Sequence, residues 1–227
     1  MRINIYGDSI MKATVLEPNG RYRSYLAETL DEVANKFRLS VNNRSRFGST
    51  IGRGFSLLTA DLDAGESCDC ALIEFGGNDC NFNWKEVAEA PFAEHSPNTP
   101  LQRFVQTLTD MIDRLQALHI KPVLMSLPPI DAEKYLNFLA HSGIDPQRLL
   151  TWLGDTQLIY RFHELYSNAV VSLALHRNIS LIDVRSCFLS RHNYKELISP
   201  DGLHPTPEGY ALVMEAFTRR LTEISLV

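Results

Sequence analysis

A serine, a histidine and an aspartate stand in contexts that suit them to acyl transfer. Ser9 follows Gly7-Asp8, two turn-forming residues that end the alternating run Arg2 to Tyr6. His204 lies in Asp201-Gly202-Leu203-His204-Pro205, three residues after Asp201. A serine hydroxyl is a weak nucleophile until a base takes its proton, and a neutral imidazole does so near pH 7. A carboxylate three residues away on a turn can hold the other ring N–H and stabilise the imidazolium that forms. The tetrahedral intermediate then needs donors aimed at its oxyanion. Candidates are the backbone N–H groups of Ser9 and Gly48 and the side-chain amide of Asn78, from Phe47-Gly48-Ser49 and Gly76-Gly77-Asn78-Asp79. Gly48, lacking a Cβ, allows close backbone approach. Gly52 competes with it in the same loop, and Gly48 is preferred. Taken singly, Ser9 reads more readily as an ordinary turn serine capping the next element of the chain.

The elements that must position these residues alternate between strand and helix. Strands are expected at Arg2 to Tyr6, Leu39 to Asn43, Cys70 to Phe75, Pro122 to Leu127 and Ile179 to Val184. The nearly continuous apolar run Cys70 to Phe75, stopped by Gly76-Gly77, predicts a central parallel strand buried on both faces. Helical spacing predicts helices over Gly20 to Arg38, Phe55 to Leu62, Leu101 to His119, Asp155 to Arg177 and Pro207 to Ile224. Arg44 to Gly54 and the proline-bearing stretch Asn81 to Pro100 read as loops, the latter long and on the surface. This order implies an α/β fold, a parallel sheet with helices on both faces, in one domain over residues 1–227. Ile130 to Gly154 exceeds a minimal crossover and predicts two short helices, either a cap over the site or a pair packed on the sheet. With this order, Ser9, Gly48, Asn78 and His204 all fall on loops at the carboxyl ends of strands, where open α/β sheets bind ligands.

Composition narrows the function classes. The 227 residues are 44% hydrophobic and 22% charged, as in an ordinary globular protein. A net charge of −5 offers no footprint for nucleic acid or an anionic membrane. No apolar run approaches the ~20 residues of a membrane span, and no secretory signal pattern opens the chain, so a cytoplasmic location is expected. Cys68, Cys70, Cys80 and Cys187 are expected as free, mostly buried thiols, and Cys68-x-Cys70 lacks a partner pair at zinc-site spacing. No metal or cofactor is therefore expected. Glu74 reads as a hydrogen-bonded carboxylate beside the site, Asp79 as a loop-bonding residue, and Cys80 as packing. The other six histidines, His163 among them, read as surface or capping residues on loops and helix ends.

These motifs resemble the SGNH hydrolases, also called GDSL esterases and lipases. The resemblance runs through Gly7-Asp8-Ser9-Ile10, with Ile in place of the usual Leu, then Asn43 to Gly48, Gly76-Gly77-Asn78-Asp79 and Asp201 to His204. Each motif is weak alone; four in order over almost the whole chain are specific. The resemblance implies a three-layer α/β/α sandwich with a five-stranded parallel sheet in flavodoxin-like order. It implies a Ser9, Asp201 and His204 triad, with Ser9, Gly48 and Asn78 forming the oxyanion hole. The expected activity is hydrolysis of a small-molecule acyl ester or thioester through an acyl-serine, without metal or cofactor. The alternative is a catalytically inactive carbohydrate- or small-ligand-binding protein on the same fold. The Gly-x-Ser-x-Gly elbow of α/β-hydrolases is absent from the sequence.

Overall fold

The computed structural model of the chain describes residues 1–17, 19–25 and 33–225. Strand β1 (Arg2–Tyr6) leads through the Ser9 turn into an antiparallel hairpin of β2 (Thr14–Leu16) and β3 (Tyr22–Ser24). The chain continues through β4 (Ser40–Asn43), α1 (Ile51–Asp63), β5 (Cys70–Ile73), α2 (Trp84–Glu89), α3 (Leu101–Ala117) and β6 (Lys121–Met125). It then forms α4 (Ala132–His141), α5 (Pro146–Leu153), α6 (Gln157–His176), β7 (Ser180–Ile182), α7 (Arg185–Leu189), a 3-10 turn (Tyr194–Leu197) and α8 (Pro207–Ser225).

Five strands make one all-parallel sheet in the order β4–β1–β5–β6–β7, the flavodoxin-like order expected. All four residues of β5 are buried, which is why its sequence lacks polar alternation. Side-chain alternation divides the core in two. Tyr6, Ala71, Ile73 and Leu124 face Leu58 of α1, Leu108 and Met111 of α3, and Tyr166 and Val170 of α6. Ile5, Leu72, Val123, Met125 and Ile182 face Phe188 of α7 and Val213 and Phe217 of α8. Helix α3 shows the pattern most plainly, burying Phe104, Leu108, Met111, Ile112 and Leu115 on one stripe.

Three expectations need correction. Residues Tyr22–Ser24 are a strand of the hairpin and not the start of a helix; residues 33–36 are helical, and the rest of that expected helix, 26–32, lies outside the described residues. The glycines of Arg44 to Gly54 do not all mark loop, because α1 already begins at Ile51. At Gly54 an added Cβ would stand 2.2 Å from Phe75 Cζ, so the missing side chain serves helix–strand contact. Asn81 to Pro100 is not simply a surface loop. It contains α2 and buries Phe82, Trp84 and Val87, despite a polar and proline-rich composition.

Those aromatics belong to a third cluster, with Tyr135, Leu136 and Leu139 of α4, Leu149 and Leu153 of α5, and Ile159 of α6. The two helices expected within Ile130 to Gly154 are present, each started by an aspartate. Asp131 accepts from the N–H groups of Glu133 and Lys134, and Asp145 from those of Gln147 and Arg148. Polar groups lock α4 to the α2 segment. Trp84 Nε1 and Asn81 Nδ2 both lie 2.9 Å from the Tyr135 hydroxyl, and Trp84 Nε1 is 2.6 Å from Asn81 Oδ1. Tyr135→Phe leaves these buried donors without their shared acceptor. The expected cost is about 1–3 kcal/mol of unfolding free energy, measured by urea denaturation; an unchanged midpoint excludes a structural role for the network.

Candidate active site

The carboxyl ends of β1, β4 and β5 release the chain on one edge of the sheet. After β1, Asp8 Oδ1 accepts from the Ile10 N–H at 2.8 Å, and the N–H groups of Lys12 and Thr14 donate to the Ser9 carbonyl. These bonds fold the segment into a tight turn that carries Ser9 at the edge, 6% exposed. His204 arrives from farther along than the strand order suggests, after β7, α7 and the 3-10 turn. It lies 195 residues from Ser9 in sequence, with its Nε2 2.8 Å from Ser9 Oγ.

Asp201 places the imidazole. Its Oδ1 accepts from the backbone N–H groups of Leu203 and His204, each at 3.0 Å, and its Oδ2 lies 2.6 Å from His204 Nδ1. Burial alone raises the Asp201 carboxyl. The hydrogen bond and charge of His204, with the two backbone donors, outweigh burial and hold it below its ordinary value. An ionised Asp201 only accepts, so the ring proton sits on Nδ1 and the Nε2 lone pair faces the serine hydroxyl. The turn depends on Gly202, at φ +76°, whose carbonyl accepts from Asp131 N at 2.8 Å. A Cβ there would stand 2.3 Å from the Tyr135 nitrogen, so the Asp201–His204 turn and α4 are fitted backbone to backbone.

The oxyanion candidates separate. Gly48 has φ +66° and follows Phe47, whose ring stacks 6.1 Å from that of His204; the same loop is tied to the serine turn by Arg46 N–H to the Gly7 carbonyl. Gly52 lies instead in the first turn of α1. Among the described residues, the N–H groups of Ser9 and Gly48 donate to no other protein group. Asn78 Nδ2 donates to Asp8 Oδ2 at 2.7 Å, which orients the amide with one of its two hydrogens. A pocket of about 60 Å³ beside Ser9 is walled by Asn78, Asn81, Leu127, Ile130, His163 and Leu203.

Several of these residues escaped the sequence reading. Asp8 holds both the serine turn and Asn78, although its place next to Ser9 was the available signal. His163 is not on a loop or helix end. It lies within α6, on the stripe of Ile159, Tyr166 and Val170, and it is buried. Burial, then the charge of Arg185, pushes its imidazole down to about 3, so it stays neutral. Tyr22, on the unforeseen β3, packs edge-on to His204, with ring centroids 5.3 Å apart.

Behind the serine turn, three acids are buried together. Burial and then the Asp8 charge raise Glu74 well above the usual carboxyl range. Among the described residues, no N–H or hydroxyl donor meets either Glu74 oxygen, and its interacting neighbour is the Asp8 carboxyl. Burial likewise lifts Asp8, against the opposing Ile10 N–H, His204 and Asn78. The burial of Cys80 raises its thiol, consistent with packing. Asp79 caps α1, with its carboxylate oxygens 3.0 and 3.2 Å from Ile51 N, and burial pushes it from 3.8 up to about 6. A carboxyl raised on folding stabilises fully below its unfolded value, and that contribution is lost as the pH rises through about 6. Asp79→Asn keeps an acceptor for Ile51 and removes the ionisation. Its unfolding free energy relative to the parent is expected to improve between pH 4 and pH 7 in urea titrations. Parallel pH curves for the two proteins would refute the assignment.

Comparison with known proteins gives the family of the chain. The model of the GDSL-like lipase/acylhydrolase family matches residues 5–212. The chain is 26% identical over 158 residues to the GDSL esterase/lipase WDL1 of Oryza sativa subsp. japonica, covering 67% of this chain but only 53% of that protein, about half its length. It is 24% identical to the GDSL esterase/lipase CPRD49 of Arabidopsis thaliana, covering 98% of this chain and 79% of that one. In fold it is similar to a lipase/acylhydrolase from Enterococcus faecalis, with TM-score 0.68 and 18% identity over 97% of this chain and 94% of that one. It is also similar to Axe2, an acetyl xylan esterase from Geobacillus stearothermophilus, with TM-score 0.65 and 19% identity over 97% and 94% of the two chains. With four motif blocks meeting at one sheet edge and a family match over nearly its whole length, the chain belongs to the GDSL-like lipase/acylhydrolase family.

Proposed function

We propose that this chain hydrolyses carboxylic esters by acyl transfer through Ser9. The observation that carries the reading is the unbroken line from Ser9 Oγ to His204 Nε2, 2.8 Å, and from His204 Nδ1 to Asp201 Oδ2, 2.6 Å. His204 takes the Ser9 proton as Oγ attacks the ester carbonyl, and Asp201 stabilises the imidazolium. The Ser9 and Gly48 N–H groups and the second Asn78 amide hydrogen stabilise the oxyanion. The intermediate collapses as His204 gives its proton to the leaving alcohol, forming acyl-Ser9. His204 then deprotonates a water that attacks the acyl carbon, and the proton returns to Ser9 Oγ as the acid departs.

The small pocket beside Ser9, with Leu127, Ile130 and Leu203 in its walls, suits a short acyl chain. In the same reading residues 130–154 are a fixed wall of a single domain, because α4 and α5 bury their apolar faces in the third cluster and do not lie free over the site.

Assays of p-nitrophenyl esters from acetate to decanoate test this mechanism. Ser9→Ala is expected to lose about 10⁴-fold or more in kcat, and a fluorophosphonate is expected to label Ser9 alone, once. Equal rates for parent and variant across the series would end the acyl-serine reading. Asn78→Ala is expected to lower kcat by about 10²–10³-fold with folding preserved. Burial and the Asp8 charge favour the protonated form of Glu74, so Glu74→Gln, neutral and similar in size, should keep activity within a few-fold of the parent. Because the raised group destabilises as it ionises, the variant should also gain relative stability as pH rises. A loss of about 100-fold in kcat with intact folding would mean that the Glu74 proton or charge is used.

A further inference from the structure

A second concavity, of about 480 Å³, adjoins the site and differs from it in chemistry. Gly7, two residues before Ser9, lines its near end, and Phe47, which stacks on the His204 ring, separates it from the candidate base. Three arginines, Arg44, Arg46 and Arg53, face it, and no acidic side chain lines it. Arg44 is neutralised and fixed by Asp61, with Nε and Nη2 at 2.8 and 2.5 Å from the two carboxylate oxygens. Arg46 and Arg53 are exposed, and among the described residues neither forms an ion pair or side-chain hydrogen bond. In a chain of net charge −5, this cleft is therefore a local positive field beside a site whose own buried side chains include Asp8 and Glu74.

The position of the cleft decides which part of a substrate it meets. The leaving oxygen takes its proton from His204, and Phe47, which stacks on that ring, belongs to the loop that also carries Arg46, so the cleft borders the His204 side of the site. The 60 Å³ pocket on the other side has room for a short acyl group and little more. Guanidinium forks match carboxylate and phosphate oxygens in shape as well as in charge. We propose that this cleft is the alcohol-side subsite, and that Arg46 and Arg53 select esters whose alcohol portion carries a carboxylate or a phosphate. This specificity rests on the acyl-Ser9 reading.

The test uses four acetate esters of similar size, with turnover measured by pH-stat at low ionic strength. They are 2-acetoxyethyl phosphate, 4-acetoxybutanoate, the neutral 3,3-dimethylbutyl acetate and the cationic acetylcholine. At least one anionic ester is expected to exceed the neutral one in kcat/KM by about tenfold, with the cation poorest. The preference should shrink as salt shortens the Debye length from about 10 Å at 0.1 M to about 3 Å at 1 M. The better of the two anions identifies the group. In the double variant Arg46→Ala/Arg53→Ala the anionic-to-neutral ratio should fall to about one, while Arg46→Lys/Arg53→Lys should retain much of it, which separates charge recognition from misfolding. Brisk turnover of the neutral ester without an anionic preference overturns the subsite but leaves the hydrolase standing. Failure of the hydrolase reading shows separately, as no turnover of any ester and no fluorophosphonate label on Ser9. Calorimetric binding of the same esters to Ser9→Ala then judges the cleft without chemistry: tighter binding of an anion, lost in the double alanine variant, supports it, and equal binding of all four refutes it.

Discussion

The contact between Asp201 and His204 is the interaction on which the site depends. An imidazole joined to the chain through two rotatable bonds would otherwise sample several rotamers, and only a narrow range brings Nε2 to a serine at the opposite end of the sequence. Asp201 removes that freedom with one carboxylate: one oxygen holds the ring nitrogen, the other holds the backbone of the turn that carries the ring. Gly202 allows the turn to lie against the first turn of α4, where no Cβ fits. The rigid body behind the histidine is thus the third apolar cluster, and the rigid body behind the serine is the central sheet.

Those two bodies meet over an electrostatic compromise. The serine turn is shaped by Asp8, whose oxygens hold the Ile10 N–H on one side and the Asn78 amide on the other. That use requires a buried carboxyl, whose charge in turn raises the neighbouring Glu74 and Asp79. Three adjacent acids cannot all ionise in such surroundings. Burial and the Asp8 charge favour the protonated form of Glu74, while Asp8 is the acid better furnished with donors, from Ile10 and Asn78.

Much of this was legible in the sequence, for identifiable reasons. Buried parallel strands lack polar alternation, so Cys70 to Ile73 announced the centre of the sheet, and long amphipathic helices such as Leu101–Ala117 carry enough turns for their stripe to be unmistakable. Ser9, Asn78, Asp201 and His204 could be named because their motifs are short and local. What stayed hidden was non-local. The aromatic spacing of Tyr22 and Tyr25 fits a helix, but the pairing of Tyr22 with Leu16 makes a hairpin, and no local pattern reports a partner strand. Trp84 and Phe82 sit among polar residues and prolines because their apolar contacts come from α4 to α6, far along the chain. For His163 the residue type misleads, and its position on the Ile159 and Tyr166 stripe is the better guide.

The two concavities around Ser9 follow from which elements end there. The α4, α6 and β6 side contributes residues already committed to burial, Leu127 and Ile130 among them, so what remains is a small and largely apolar recess. The β4 to α1 side is a loop that crosses the sheet edge with its arginines outward, and among the described residues only Arg44 finds a carboxylate, at Asp61. A substrate spanning the site therefore passes from an environment that penalises charge to one that lacks a counter-charge. Steric room and electrostatics favour the same orientation: the compact neutral end against Leu127 and Ile130, and the larger charged end over Phe47 toward Arg46 and Arg53. In the proposed mechanism that orientation puts the leaving oxygen on the side of His204, its proposed proton donor, so the charge pattern and the proton path would reinforce one another.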